Sequence, residues 1–329
     1  MSVERSWPAS SSTRSRQQAP LLRAEEAPAL VQRQLTPRKW EYIIRRNLGG
    51  YLFLLPALFV FALFVWYPVI LGIMMSFQSI DLINPAIWVG LKNYLHIFAD
   101  PLFVIAWRNT LAFTGFALLF GYFIPIILAL LLNEMRHGKS FFRLVFYLPV
   151  ILPPIVTVFL WRWIYNPDSG LLNALLNLVH VASGLWLESP VTALPALVVV
   201  ATWSSAGSTM LIYLAALQGV PSMLYEAAEI DGANLWARLW FITLPSIRPI
   251  MLLMLVLQII GTMQVFIEPF TMTNGGPQNA TISVLLLIYN YAFQQSDFGG
   301  ASALGVILFL VLAVFALIYM RMTRSLQGD

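Results

Sequence analysis

The sequence predicts an all-α membrane protein with six transmembrane helices and a cytoplasmic helix-turn-helix coupling loop between spans four and five. Three observations lead there. Of 329 residues, 59% are hydrophobic and only 10% are charged, and the mean hydropathy is +0.76. A soluble domain carries nearer a quarter charged residues, so this chain cannot hide its apolar surface in water. The apolar residues gather into six stretches, each long enough to cross a hydrocarbon core that needs about 20 helical residues. One long polar stretch, 225–249, interrupts the second half and reads as two short helices joined by a glycine.

In chain order, residues 1–48 form a basic tail rich in Ser, Gln, Pro and Arg, with nine Lys and Arg against four acids. Its composition predicts disorder at least to residue 36. Residues 37–46 interleave Trp40, Ile43 and Ile44 with Lys39, Arg45 and Arg46. That pattern fits a short helix along the membrane surface, or equally a solvated basic tail. The apolar run beginning at Tyr51 is too long for the core of a cleaved leader. Residues 49–329 are the transmembrane domain, with spans expected at 51–77, 108–132, 142–164, 192–217, 247–270 and 301–320. Pro149, Pro153 and Pro154 should kink the third. The apolar run 282–293 is short and ends in Gln294, Gln295, Ser296 and Asp297. It is expected as a helix on the outer surface, with a seventh span as the alternative.

Charge sets the orientation. With both termini inside, sixteen Lys and Arg fall on the inner face and three, Lys92, Arg108 and Arg162, fall outside. Basic residues favour the cytoplasmic side, so the chain should be a multi-pass membrane protein with both termini cytoplasmic. The basic pI near 9.4 then reports topology and contact with membrane lipid; nucleic acid is not an expected partner.

The loop, about 220–249, is built rather than merely polar. Ser222 can cap a helix that runs through Asp231. Met223, Ala227 and Ile230 share one face, and Glu226 and Glu229 another. Gly232 permits a sharp turn. A second helix follows, with Leu235 and Leu239 on one side, and Pro245 and Pro249 should end it and start the next span.

Glu226, Ala227, Ala228, Asp231, Gly232, Ala233, Ile242, Leu244, Pro245 and Pro249 resemble the EAA loop of the membrane subunits of bacterial ABC importers. Further stretches resemble the carbohydrate-type subunits of that family, similar to maltose and glycerol-phosphate permeases. These are LFLLPALFVFALFVWYP, VGLKNY, RNTLAFT, MLIYLAALQGVP and FTMTNGGP, within about residues 50–322. The resemblance implies that Glu226–Pro245, Arg238 included, docks on an ATP-hydrolysing subunit. It implies a second, homologous permease subunit, two ATP-binding subunits and an extracytoplasmic solute-binding protein as partners. ATP and Mg would be bound by the ATPase, with no cofactor in this chain. It implies transport of a sugar or oligosaccharide; glycerol phosphate or another polar solute is the runner-up, and an ion-coupled secondary transporter the competing class.

The residues themselves argue against an enzyme. No G-x-x-x-x-G-K-[ST], H-E-x-x-H or G-x-S-x-G occurs. The three histidines are far apart in sequence and there is no cysteine, so no metal site and no catalytic residue is expected. The spans carry almost no charge, Glu268 at the end of the fifth being the nearest case. An ion-coupled carrier would place ionisable relays there. Uncharged polarity remains: Trp203, Ser204, Ser205 and Ser208 in span four, Gln258, Thr262 and Gln264 in span five. Such groups can line a sugar path or serve as interhelical glue. The glycine-rich turn within 270–278 is expected on the outer face, as the surface that meets a binding protein or as a simple loop.

Overall fold

The computed structural model describes residues 48–81, 83 and 85–327. Most of the basic tail, with the expected surface helix at 37–46, lies outside them. The chain divides into two units, residues 1–62 and 63–329. In the first, α1 (Leu48–Phe61) carries Pro56 within it, and its residues 52–61 are exposed and almost wholly apolar. A helix that is apolar all round belongs in lipid or in a core.

The second unit begins with α2 (Tyr67–Met75) and a small antiparallel hairpin, β1 (Gln78–Ser79) with β2 (Ile87–Trp88), in which Gln78 faces Trp88. Next come α3 (Lys92–Ala99), α4 (Pro101–Phe120) and α5 (Phe123–Glu134). Asp100 starts α4 by accepting the Leu102 N–H, and Pro101 fills the first helical position, where its missing N–H costs nothing. Then follow α6 (Lys139–Ile151), α7 (Pro154–Ile164), α8 (Leu171–Leu178) and α9 (Ala193–Gln218).

Five stretches are long and apolar enough to cross a membrane: Leu52–Met75, Pro101–Glu134, Ala193–Gln218, Leu235–Met263 and Phe298–Arg321. The expected third span is the pair α6 and α7, and it bends by 100° rather than merely kinking. The cause is local. Leu152 and Pro153 each precede a proline and are held extended, with ψ of 134° and 139°. No helix passes through two such residues.

The chain closes with α10 (Ser222–Ile230), α11 (Leu235–Arg238), α12 (Leu244–Met263), α13 (Val284–Tyr289) and α14 (Phe298–Gln327). The expected surface helix at 282–293 is corrected by α13. Val284, Leu286 and Leu287 are fully buried and cluster with Ile97, Ala106, Ala303 and Leu304. The run is apolar because it packs inside the protein. Tyr291, just beyond it, donates its hydroxyl hydrogen to Asp100 Oδ2 at 2.6 Å and ties it to the start of α4.

Helix α9 is the hub, packing against α4, α5, α6 and α12. Apolar surface alone does not drive helices together in lipid, so close packing must. On α9 a very close approach is at Gly207, where an added Cβ would lie 2.2 Å from the Phe146 carbonyl oxygen on α6.

Candidate functional site: a coupling elbow and a polar cavity

The elbow between α10 and α11 is a helix stop built from backbone hydrogen bonds. Gly232 N–H donates to Glu229 O at 3.1 Å, and Ala233 N–H reaches back to Ala228 O at 2.8 Å. This pair of bonds satisfies carbonyls that the helix end would leave open, and it needs a left-handed residue at the turn. Gly232 supplies it with φ of +75°. Nothing lies within 4 Å of where its Cβ would be, so the requirement is conformational rather than a matter of space. Asn234 then caps α11 by accepting the Ala237 N–H at 2.8 Å.

Arg238 closes the corner. Its Nε donates to Ala233 O at 3.0 Å, and its guanidinium meets Glu229 at 3.6 Å. Glu229 is largely exposed, so the ion pair contributes roughly 0–1 kcal/mol. The buried Thr243 shares a 3.0 Å hydrogen bond with the Tyr225 hydroxyl across the elbow. Spacing within either helix could not reveal that link.

Two local expectations are corrected. Ser222 does not cap α10; it is the first helical residue, behind Pro221, and makes no capping bond. The expected stop at Pro245 is absent. Helix α11 passes through a wide turn, Leu239–Thr243, straight into α12. That turn makes room where the Pro245 ring would meet a carbonyl one turn back.

The elbow presents Glu226, Ala227, Asp231 and Pro245 to its surroundings; Ala228, Ala233, Arg238 and Leu244 are half-buried. Around them Met223, Ile230, Leu235, Trp236 and Phe241 are all more than two-thirds exposed, Ile230 at 87%. Surface this apolar beside charged residues marks a contact surface. A cavity of about 480 Å³ lies behind it, lined by Leu131, Glu134, Tyr225, Trp236 and Arg238.

The polar span residues separate into two groups. Ser205, Gln258, Thr262 and Gln264 share one cavity of about 440 Å³ with Thr202 and Glu268. Trp203, Ser204 and Ser208 do not line it. Trp203 meets Trp161 edge to face at 5.7 Å, and Ser204 and Ser208 donate to carbonyls of their own helix at 2.8 Å. Sequence reasoning missed Gly121, at the break between α4 and α5. A Cβ there would fall 2.8 Å from Gln258 Nε2 and from the Ala117 carbonyl, and 3.2 Å from Thr202 Oγ1. Its bare Cα is what lets the Gln258 amide reach this point.

At the end of the bundle away from the elbow, the glycine-rich turn is braced rather than loose. Thr281 Oγ1 donates to Gly276 O at 2.7 Å and lies 2.7 Å from Thr273 Oγ1. Gly276 and Pro277 line a cavity of about 430 Å³ with Arg162 and Glu188. Among the described residues no group of His, Asp or Glu is placed to hold a metal ion.

Residues 121–327 match the family described as the binding-protein-dependent transport system inner membrane component. The chain belongs to that family. The family is a membrane component of transport systems, not an enzyme. A probable ABC transporter permease protein, YurN of Bacillus subtilis, is 34% identical over 84% of this chain and 96% of its own length. The trehalose/maltose transport system permease protein MalF of Thermococcus litoralis is 33% identical, over 84% and 93%. Among solved structures, a chain of a bacterial alginate ABC transporter, in complex with an alginate pentasaccharide-bound periplasmic protein, superposes with a TM-score of 0.77. It is 28% identical and covers 88% of this chain and 98% of its own.

With transport as the family's activity, Gly121 offers a test. Gly121→Ala should displace Gln258 and lower solute uptake severalfold while the subunits still co-purify. Unchanged uptake would show that the position of Gln258 does not matter to the path.

Proposed function

We propose that this chain is a permease subunit of an ATP-driven importer that moves a sugar or oligosaccharide across the cytoplasmic membrane. The elbow carries the reading. A rigid turn with an exposed apolar face, joined without a break to a membrane span, is the shape needed to pass a partner's motion into the bundle. In this reading two ATP-binding subunits hold ATP and Mg and close on each other. Glu226–Pro245 rides on that movement, and the path switches between inward and outward access. A second, homologous permease subunit completes the path, and an extracytoplasmic solute-binding protein delivers the solute at the end bearing Gly276 and Pro277. The charge bias supports an elbow in the cytoplasm with both termini on the same side. The trehalose and maltose of MalF and the alginate of the structurally similar transporter support the solute class.

Purification of the complex with its partners, reconstitution in proteoliposomes and an uptake assay test the reading. Uptake should require ATP and should persist when ion gradients are collapsed at constant ATP. Uptake that stops with the gradients would favour the secondary transporter instead. Orientation has its own test, because the chain has no native cysteine. Ser140→Cys and Asn234→Cys should be shielded from a membrane-impermeant thiol reagent in intact cells, and Gln278→Cys should be labelled. Labelling of Asn234→Cys from outside would overturn both the orientation and the docking role.

A further inference from the structure

The cavity between α4, α9 and α12 has one-sided electrostatics. Glu268 is the one charged residue in its lining; no lysine, arginine or histidine lines it. Among the described residues Glu268 makes no ion pair. Arg162, toward the same end of the bundle, lines a separate cavity in the company of Glu188.

Two of the wall's hydroxyls point the same way. Ser205 Oγ donates its hydrogen to Ala201 O at 2.8 Å, and Thr262 Oγ1 donates to Gln258 O at 2.8 Å. Gln264 Nε2 donates to Ile260 O at 3.0 Å. A hydroxyl whose hydrogen is committed to its own helix offers the cavity only acceptor lone pairs, whereas an amide bonded once keeps a second N–H. The wall therefore presents acceptors, one carboxylate and a few neutral donors, the Gln258 and Gln264 amides and the Thr202 hydroxyl, but no cation. Sugar hydroxyls and ammonium groups can donate to such a wall. Carboxylate and phosphate groups find no cation in this lining, and ionised Glu268 repels them.

We infer that this chain's half of the path, with Glu268 as its specificity-determining residue, takes neutral or amino-bearing saccharides and rejects uronates and sugar phosphates. The inference rests on the reading of this cavity as part of the transport path. It separates the chain from the structurally similar importer, whose substrate is the acidic polysaccharide alginate. It also disfavours glycerol phosphate as the solute.

The test needs no knowledge of the natural solute. Ser205→Cys is placed in the otherwise cysteine-free chain, and the full complex is treated at pH 8 with methanethiosulfonate reagents. A trimethylammonium reagent, a sulfonate reagent and a neutral reagent of similar size are compared by the intact mass of this chain. The cationic reagent should outpace the anionic one by about tenfold more than it does on a small free thiol. Glu268→Gln in the same background should remove that excess. Reaction with the neutral reagent but no charge bias would overturn the inference alone, as would a bias that survives Glu268→Gln. Failure of even the neutral reagent to react would overturn the inference together with the reading of this cavity as a water-filled path.

Discussion

Gly207→Ala is expected to prevent tight docking of α6 against α9. The new methyl would sit 2.2 Å from the Phe146 carbonyl oxygen and 2.9 Å from Tyr147 Cα, both main-chain atoms. No rotamer change can relieve a clash with backbone, so the two helices must separate. Overpacking of this kind costs ~2 kcal/mol or more. The loss is larger in effect here, because α9 is the helix on which most of the bundle converges. The checks are thermal unfolding of the purified complex in detergent and its yield. Gly115→Ala is the control, since nothing in the chain lies within 4 Å of that position. Equal stability of the two variants would show that the α6–α9 approach is looser than described.

Gly232→Val should uncouple the complex. The left-handed backbone at φ of +75° costs an L-residue about 1–2 kcal/mol, and a β-branched one more. The helix stop then opens, and α11 loses its fixed angle to α10. The expected result is ATP hydrolysis without solute uptake, or loss of the ATPase subunits on purification. Binding of solute by the separate binding protein should not change. Because the site is spacious, chemistry at the turn can be varied without crowding. Gly232→Asn should keep most of the uptake, since asparagine tolerates this conformation best after glycine. Glu226→Gln should be milder than Gly232→Val, as it alters charge and leaves shape alone. Normal assembly and uptake in Gly232→Val would remove the elbow as the mechanical link.

What could be read from the sequence was whatever is local. The apolar stretches marked the spans, and Gly232, between two short helical runs of the polar segment 225–249, marked the elbow. Glu226, Asp231 and Gly232 lie in one continuous segment, so spacing alone places them. Contacts between distant segments were not legible. Nothing in the residues around Gly207 or Gly121 says that Phe146 or Gln258 lies against them. The apolar run at 282–293 looks the same whether it faces lipid or a core; only its packing against α4 and α14 decides. Three prolines announced a disturbance in span three, but its angle depends on two successive extended residues. Among the polar residues of spans four and five, sequence identified chemistry and not direction. Ser204, Ser205 and Ser208 are alike on paper, and Ser205 alone of the three lines the cavity.

In the proposed function, the unbroken passage from α11 through α12 makes the elbow and span five a lever arm. Leu235–Met263 comprises 29 residues, about 43 Å of helix at 1.5 Å per residue. A tilt of ~10° about the docked end carries the far end through roughly 7 Å, more than the width of one sugar ring. The wide turn lies in the half nearer the elbow and Pro249 at the midpoint, so flexure is confined to that side. The stretch from Leu257 onward, which carries Gln258 and Thr262, swings as a stiff piece. A small rotation of the ATPase would thus be geared up, without any change in the cavity wall itself, into a displacement on the scale of the cargo.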